Sequence, residues 1–587
     1  MRTLCAIPLL FPSLLFGQVA AIVIDTPMAP PAWALAQRAL LKANAEAAEE
    51  FAARYLDDRG FLRCVERWGG NDGPDDAMEN FQNWTLAYAL GAPETILKLY
   101  EKAWEGHLIQ YTRAKAPNTE MAKDGMYYRE FPAAFDWEHN GEGLAAFLLY
   151  GLGRPGDRIY RERTLRYAGF YTGEDPEASN YDAEHKIIRS LHNGSRGSKL
   201  TPASVYDWGG EAVPGDPGRH DRYRTASNIR GDHPLNLCAT ALAMNAYMLT
   251  HDPKYRRWLL EYAGAWRDRV AANGGNIPTN IGLNGQIGGE WDGKWYGGVF
   301  GWNFWPESAS RNYYKRGPRI AFGAAFLLTG DESFVEPLRS QIANLYAAKR
   351  VEQDRVLLPN KYGENGWYGY VRDEHFDVQR DIYLWSMRES DLEHLRDDGW
   401  IAFLAGQNPD YPRTALEADL ERIRARVAGL RADKSTADTR SSDSPQRYNP
   451  VATDALVRLT LGGNEPGGIG NILHSRLRYF DADRRRAGLP EAVGALVERI
   501  GPEEVTVTLV NTDPVHPRTM IVQTGASAEH QCVAVEAGGQ SVPVNAPYFL
   551  VRLLPGAGEQ LRVRVRRYAN QPTLAFPWDV GWFHEAM

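Results

Sequence analysis

At 587 residues the chain can bury a large core, and its length allows about three to four domains. A formal net charge of -8 excludes a general nucleic-acid binder, which would carry a basic excess, while leaving room for a local basic pocket. Four cysteines with no C-x-x-C pair exclude a disulfide scaffold and a cysteine-based metal site.

The chain opens MRTLCAIPLLFPSLLFGQVAA. Arg2 precedes an apolar run from Leu4 to Phe16, and small residues Val19, Ala20 and Ala21 follow. This is the layout of a signal peptide over residues 1–21. The run is too short for a membrane span, and Pro8 and Pro12 interrupt it. The expectation is a secreted or periplasmic protein with no membrane span. Cys5 leaves with the signal, and Cys64, Cys238 and Cys532 remain.

A helical hairpin then repeats. Phe81–Leu90 leads through Gly91-Ala92-Pro93 to Thr95–Tyr111, and Glu142–Tyr150 leads to Asp157–Phe170. Ala239–Thr250 leads to Tyr255–Val270, and Ile320–Thr329 to Phe334–Lys349. Trp400–Ala405 leads to Ala415–Arg431. Gly, Asp and Pro in the turns stop one helix and start the next. The first helix of each pair is apolar nearly all round and belongs inside; the second carries a charged face and belongs outside. Ala34–Leu56 and Val451–Leu461 would pair as a sixth hairpin and close a ring. The fold expected for 22–465 is therefore mainly α, an (α/α)6-type toroid, with an open solenoid as the alternative. In 466–587, short runs such as Val505–Val510, Phe549–Leu553 and Leu561–Val565 alternate with turns and predict a C-terminal antiparallel β-sandwich.

Polar clusters fall just before the expected inner helices. They are Asn83-Trp84, Asp136-Trp137-Glu138-His139-Asn140-Gly141-Glu142, Arg230-Gly231-Asp232-His233 and Arg311-Asn312-Tyr313. If the inner helices run parallel, these clusters share one mouth, where helix N-termini favour anions. Asn180–Gly197 places His185, Arg189 and His192 four and three apart, on one face of a helix, with Asn193 and Arg196 following. Such a face suits a carboxylate or sulfate; an ion-pair network with Asp182 and Glu184 is the alternative. Asn273–Pro306 is glycine-rich and crowded with Trp291, Trp295, Tyr296, Trp302 and Trp305, beside Glu290 and Asp292. Too long and aromatic for a plain connection, it reads as an ordered sugar platform.

A helical toroid followed by a β-sandwich, with an aromatic mouth rich in His, Asn and Arg, resembles carbohydrate-active α/α-barrel enzymes, both polysaccharide lyases and glycoside hydrolases. The resemblance is one of architecture over nearly the whole chain and carries no diagnostic motif. It implies a lyase cleaving an anionic, uronic-acid-containing polysaccharide by β-elimination. Asn140, Asn193 and Arg196 would neutralise the sugar carboxylate. His139, His185, His192 or His233 would be the base, and Tyr296 or Tyr313 the acid. Arg189, Trp84, Trp137, Glu290, Trp291, Trp295 and Trp302 would bind substrate. The alternative is a glycoside hydrolase using a carboxylate pair drawn from Asp136, Glu142, Asp232, Glu290 and Asp292; a non-catalytic glycan binder is a third reading. No cofactor fingerprint is present. A divalent cation on His139, His185, His192, His233 and Asp232 lacks a local ligand signature.

Overall fold

The computed structural model describes residues 20–64, 75–113, 137–174, 180–189, 231–289, 291–297, 302 and 315–580. The chain is mixed α and β rather than mainly α, with helices up to residue 461 and two large sheets after 476.

Two kinds of helix alternate. One kind is buried nearly all round: α3 (Trp84–Leu90), α5 (Trp137–Tyr150, over its described part from Gly143), α7 (Thr240–Thr250, entered through a 3-10 turn at Pro234–Ala239) and α9 (Gly317–Thr329). The other kind, α1 (Ala32–Tyr55), α4 (Glu94–Arg113), α6 (Arg158–Thr172), α8 (Pro253–Ala272), α10 (Glu336–Ala347) and α13 (Tyr411–Ala432), buries one stripe. In α13 the stripe is Pro412, Leu416, Asp419, Ile423 and Leu430, the 3.6-residue period of an amphipathic helix. Asp157 and Asp252 start α6 and α8 by accepting from the main-chain N–H of Tyr160 and Lys254. The first long helix, α1, packs against both α4 and α13, so the beginning and the end of the helical run meet.

The fifth inner helix differs from expectation. It is α11 (Phe376–Ser386), not the 400–405 segment, which forms the short helix α12 (Gly399–Leu404) against strand β9 (Val493–Ile500). Asp377 and Asp381 disguise α11 as a surface helix; both pair with Arg319 of α9. The last inner helix, α14 (Asp454–Leu456), continues as a π-turn over Val457–Leu461.

Strands β7 (Leu477–Asp481), β8 (Arg486–Ala487), β11 (Arg518–Thr524) and β14 (Tyr548–Leu553) form one sheet in the order β1-β14-β11-β7-β8. Its parallel edge, β1 (Ala21–Ile24), comes from the start of the chain. The second sheet, β13-β12-β15-β10-β9, is antiparallel, with β10 (Glu504–Asn511), β12 (Gln531–Ala537), β13 (Gln540–Ala546) and β15 (Gly558–Arg566). Val507 and Val563 of this sheet share one hydrophobic cluster with Val522 and Val551 of the first. Two small sheets interrupt the helices: β2 (Tyr181–Asp182) with β3 (Ile187–Ile188), and β4 (Arg350–Glu352), β5 (Arg355–Gly363), β6 (Gly366–Val371). No helix among the described residues is long and apolar enough to cross a membrane. Cys64, Cys238 and Cys532 are buried, and among the described residues no disulfide joins them.

The sheet region seals one end of every inner helix. Arg486 donates to the carbonyls of Tyr88 and Ala92 at the end of α3, 3.3 and 2.7 Å away. Arg478 donates to Leu152 after α5. Leu574 N–H donates to Met248 of α7 at 3.1 Å. Tyr568 lies edge-on to Phe326 of α9, with ring centres 4.7 Å apart. Arg476 and Arg567 donate to Leu384 and Trp385 of α11, and Arg476 N–H to Leu461 after α14. The hydrogen bonds among these contacts go to carbonyls at helix C-termini, the groups that a helix leaves short of internal partners. The N-termini of these helices therefore face away from the sheets.

Candidate functional site

The open rim is built from the first turns of the inner helices. Asn83, just before α3, donates to the Val451 carbonyl at 2.9 Å and accepts from Asn449 at 3.2 Å, which ties the first inner helix to the last. Glu142 in α5 pairs with Arg316, just before α9, at 2.9 Å. Lys315 pairs with Asp373 at 3.1 Å, and Asp373 also meets the buried His375 ring at 3.1 Å. Burial works to raise the Asp373 carboxyl, but the hydrogen bonds from His375 and the Lys315 cation outweigh it and hold the group well below the usual carboxylate range.

A glycine-rich loop between α14 and β7 rises to this rim. Gly462 ends the π-turn with a left-handed backbone, φ +65°. Asn464 donates to the Asp377 carbonyl and the Asp381 carboxylate at 2.8 and 2.9 Å, anchoring the loop beside the first turns of α11. The next residue, Glu465, accepts from the Thr453 hydroxyl. Its carboxyl is pushed up to about 7, first by burial and then by the nearby Asp454 and Asp419 carboxylates. Glu465 lines a cleft of about 370 Å³ together with Glu79, Gln82, Asn83, Arg422, Arg426 and Arg447, among others. Arg426 is held by the Asn449 carbonyl at 2.7 Å and Arg422 by Asp419 at 3.1 Å. A larger cavity of about 1110 Å³ lies at the sealed end, along Tyr88, Arg154, Arg484 and Trp578. Two of its arginines are already engaged, Arg154 with Glu94 and Arg484 with Glu491. Size alone does not select it; the cleft holds the carboxyl poised to exchange a proton near neutrality.

The residues expected from sequence distribute unevenly. His185 and Arg189 belong to the β2–β3 hairpin and not to a helix. Asp182 accepts from the main-chain N–H of Glu184 and His185, which closes the turn and overrides the helical spacing. The Asp182 carboxylate also holds the His185 ring at 3.1 Å and Arg189 at 3.4 Å. Asp232 and His233 are fully enclosed. Asp232 accepts from the main-chain N–H of Ile188 and His233 and from Asn236, Tyr262 and Trp266, at 2.8–3.1 Å. Burial raises its carboxyl to about 6 despite these donors. It acts as a knot joining the hairpin, α7 and α8.

Two of the expected sugar faces are interior. Trp84 is fully buried and donates to Asn449 at 2.9 Å; Trp302 is buried edge-on against Trp367, 4.9 Å between ring centres. Trp295 and Tyr296 are half-buried and join Tyr362, at 4.6 and 5.1 Å, in an aromatic cluster that reaches the β5–β6 hairpin. Trp291 is half-buried and Asp292 exposed. The side chains of Trp137, His139 and Asn140, and the residues Asp136, His192, Asn193, Arg196, Glu290 and Tyr313, lie outside the described residues. Among the described residues no group of three or more His, Cys, Asp or Glu is placed to hold a metal ion.

Sequence reasoning missed Glu465, Thr453, the arginines of α13 and the Arg319–Asp381 pair. A carboxylate inside the run Gly462-Gly463-Asn464-Glu465-Pro466-Gly467-Gly468 was the available signal, because such a run must turn sharply and expose what it carries.

No curated protein matches the chain. The family model described as Domain of unknown function (DUF8034) matches residues 21–213, 216–380 and 385–457, most of the chain, which therefore belongs to that family.

Proposed function

We propose that the protein is a secreted enzyme that depolymerises an anionic, uronic-acid-containing polysaccharide by β-elimination. In this reading the helices form a ring of six hairpins, the two large sheets a β-sandwich below it, and the active cleft lies at the open rim. The observation that carries the proposal is the composition of that cleft. Three arginines and several amides surround a carboxyl that is half-protonated near neutrality, an arrangement suited to a sugar carboxylate.

Elimination needs the sugar carboxylate neutralised, a base for the C5 proton and an acid for the leaving oxygen. Among the described residues His185 is the best-oriented base, because Asp182 fixes its ring. His139 and His192 are the further candidates, with Asn140, Asn193 and Arg196 beside the sugar carboxylate. Tyr296 and Tyr313 are candidate acids, and Trp291, Trp295 and Tyr296 a flanking sugar platform. Glycoside hydrolysis is the second reading. It is favoured by the raised Glu465 carboxyl, which could serve as a general acid, with Glu142 as a second carboxylate.

Acidic and neutral polysaccharides incubated with the purified protein separate these readings. Ultraviolet absorbance rising together with reducing ends supports elimination. Reducing ends without absorbance would replace it by hydrolysis, and no product from any polysaccharide would end both.

A further inference from the structure

The Glu465 carboxyl is placed where its charge matters to whatever enters the cleft. Its loop carries it to the level of the inner-helix N-termini, and Asn464 pins the loop to α11 at 2.8 Å. Thr453 fills one side of the carboxyl. The charged groups around it come from every neighbouring element. Asp454 and Arg458 belong to α14 and its π-turn, and Asp419, Arg422 and Arg426 to α13. Arg319 belongs to α9, Asp377 and Asp381 to α11, and His474 to the return of the loop. Most of the cations are engaged: Arg458 with Asp454 at 3.0 Å, Arg422 with Asp419 at 3.1 Å, and Arg319 with Asp377 and Asp381. His474 is half-buried, and desolvation lowers its pKa and favours the neutral ring. Glu465 is thus the group of this set whose charge can change most readily near neutral pH.

We propose that the cleft binds a carboxylate-bearing sugar together with one proton, which Glu465 holds in the bound state. This rests on the reading of the cleft as an anionic-glycan site. The reason is electrostatic. A sugar carboxylate drawn in by Arg422, Arg426 and Arg447 brings a second negative charge into the cleft that Glu465 lines. Two carboxylates in one poorly solvated site cannot both stay ionised at low cost, so one takes a proton, and the pair can share it as an O–H···O hydrogen bond. Binding then raises the proton affinity of Glu465, so proton uptake accompanies binding. Affinity is highest below pH 7 and falls as the pH rises through and above it.

Calorimetric titration of the full chain with trigalacturonate, in two buffers of different ionisation enthalpy, reads this directly. At pH 7 uptake of about half a proton per site is expected, and affinity should weaken roughly tenfold between pH 6 and pH 8. Glu465→Gln keeps an oxygen for Thr453 but cannot ionise. It should bind without proton uptake and with a flat pH dependence over that range. Should the variant fail to fold, Glu465→Asp, which still titrates, must keep the uptake. Binding by the wild type with no uptake, or equal uptake in Glu465→Gln, overturns the proposal and leaves the anionic-glycan reading standing. Binding of neutral cellotriose but not trigalacturonate, or of neither, overturns both.

Discussion

The two ends of the inner helices use the same residue types to opposite ends. At the sheet side, arginines 476, 478, 486 and 567 direct guanidinium N–H groups at the main-chain carbonyls where the helices end. At the rim, arginines 316, 319 and 422 meet carboxylates, and Arg422 also lines the cleft. At the sheet side an arginine facing carbonyls serves as a helix cap. One facing a carboxylate can exchange that partner for an anionic ligand of similar geometry. The lesson is that residue type names the chemistry available, while the helix end it meets decides whether that chemistry is spent on folding.

The contrast can be broken most sharply at Asp232, a rim residue built like a base residue. Asp232→Ala strands five buried donors and should cost about 4 kcal/mol, read as a lower denaturation midpoint. A midpoint within about 1 kcal/mol of wild type would show that Asp232 does not tie these elements together. Next, Arg478→Met leaves the Leu152 and Ala526 carbonyls unsatisfied while keeping apolar contact with Phe480. About 2–3 kcal/mol of stability should vanish, with ligand binding per folded molecule unchanged. Loss of binding at full stability would show that the two ends are not separate.

Glu529 supplies a pH test of the closed end. Burial raises its carboxyl to about 7, against the N–H groups of Ser527 and Ala526. The folded value lies above the unfolded value of about 4.3, so the fold holds the proton more tightly than the unfolded chain. Its contribution is complete below the unfolded value and is lost as pH rises through 7. Wild type should lose on the order of 2 kcal/mol from this group between pH 5 and pH 8. Glu529→Gln should flatten that slope in midpoint-against-pH curves; identical slopes would remove Glu529 from the account. The smallest effect belongs to the exposed pair Lys294–Glu364, 2.6 Å apart between the aromatic loop and the β5–β6 hairpin. Lys294→Ala should leave the thermal midpoint essentially unchanged, because solvent screens an exposed pair. Thermal unfolding of the variant would show a larger drop only if that pair braces the aromatic cluster.

Much of the helical layout could be read from the chain. Apolar first helices, charged second helices and Gly, Asp or Pro turns follow from burial and capping, and α7 to α10 fall close to where they were expected. Helix α11 could not be read, because its Asp381 answers Arg319 in the interior while Asp377 meets the same arginine from a half-exposed place, and a buried ion pair looks like a surface in one dimension. The β2–β3 hairpin was mistaken for a helix because spacings of four and three arose by chance, while the Asp182 turn was decided by two main-chain N–H groups. Trp84 and Trp302 looked like sugar faces, since composition does not say which side of a ring is covered. At the site, the sequence pointed to the rim but not to Glu465, whose surroundings are assembled from α13, α14 and a loop far from every cluster it displayed.

The loop from Gly462 to Ser475 departs from the last inner helix, climbs to the rim at Asn464 and descends to the sheet at Arg476. It works as a tethered stopper whose string is the connection between the two halves of the molecule. The stretch matched by the family ends at 457, before the stopper begins. A protein cut there would lose Glu465 and the sheet-borne contacts at the lower helix ends together. Loss of the lower half would therefore be felt first at the top, as an altered cleft.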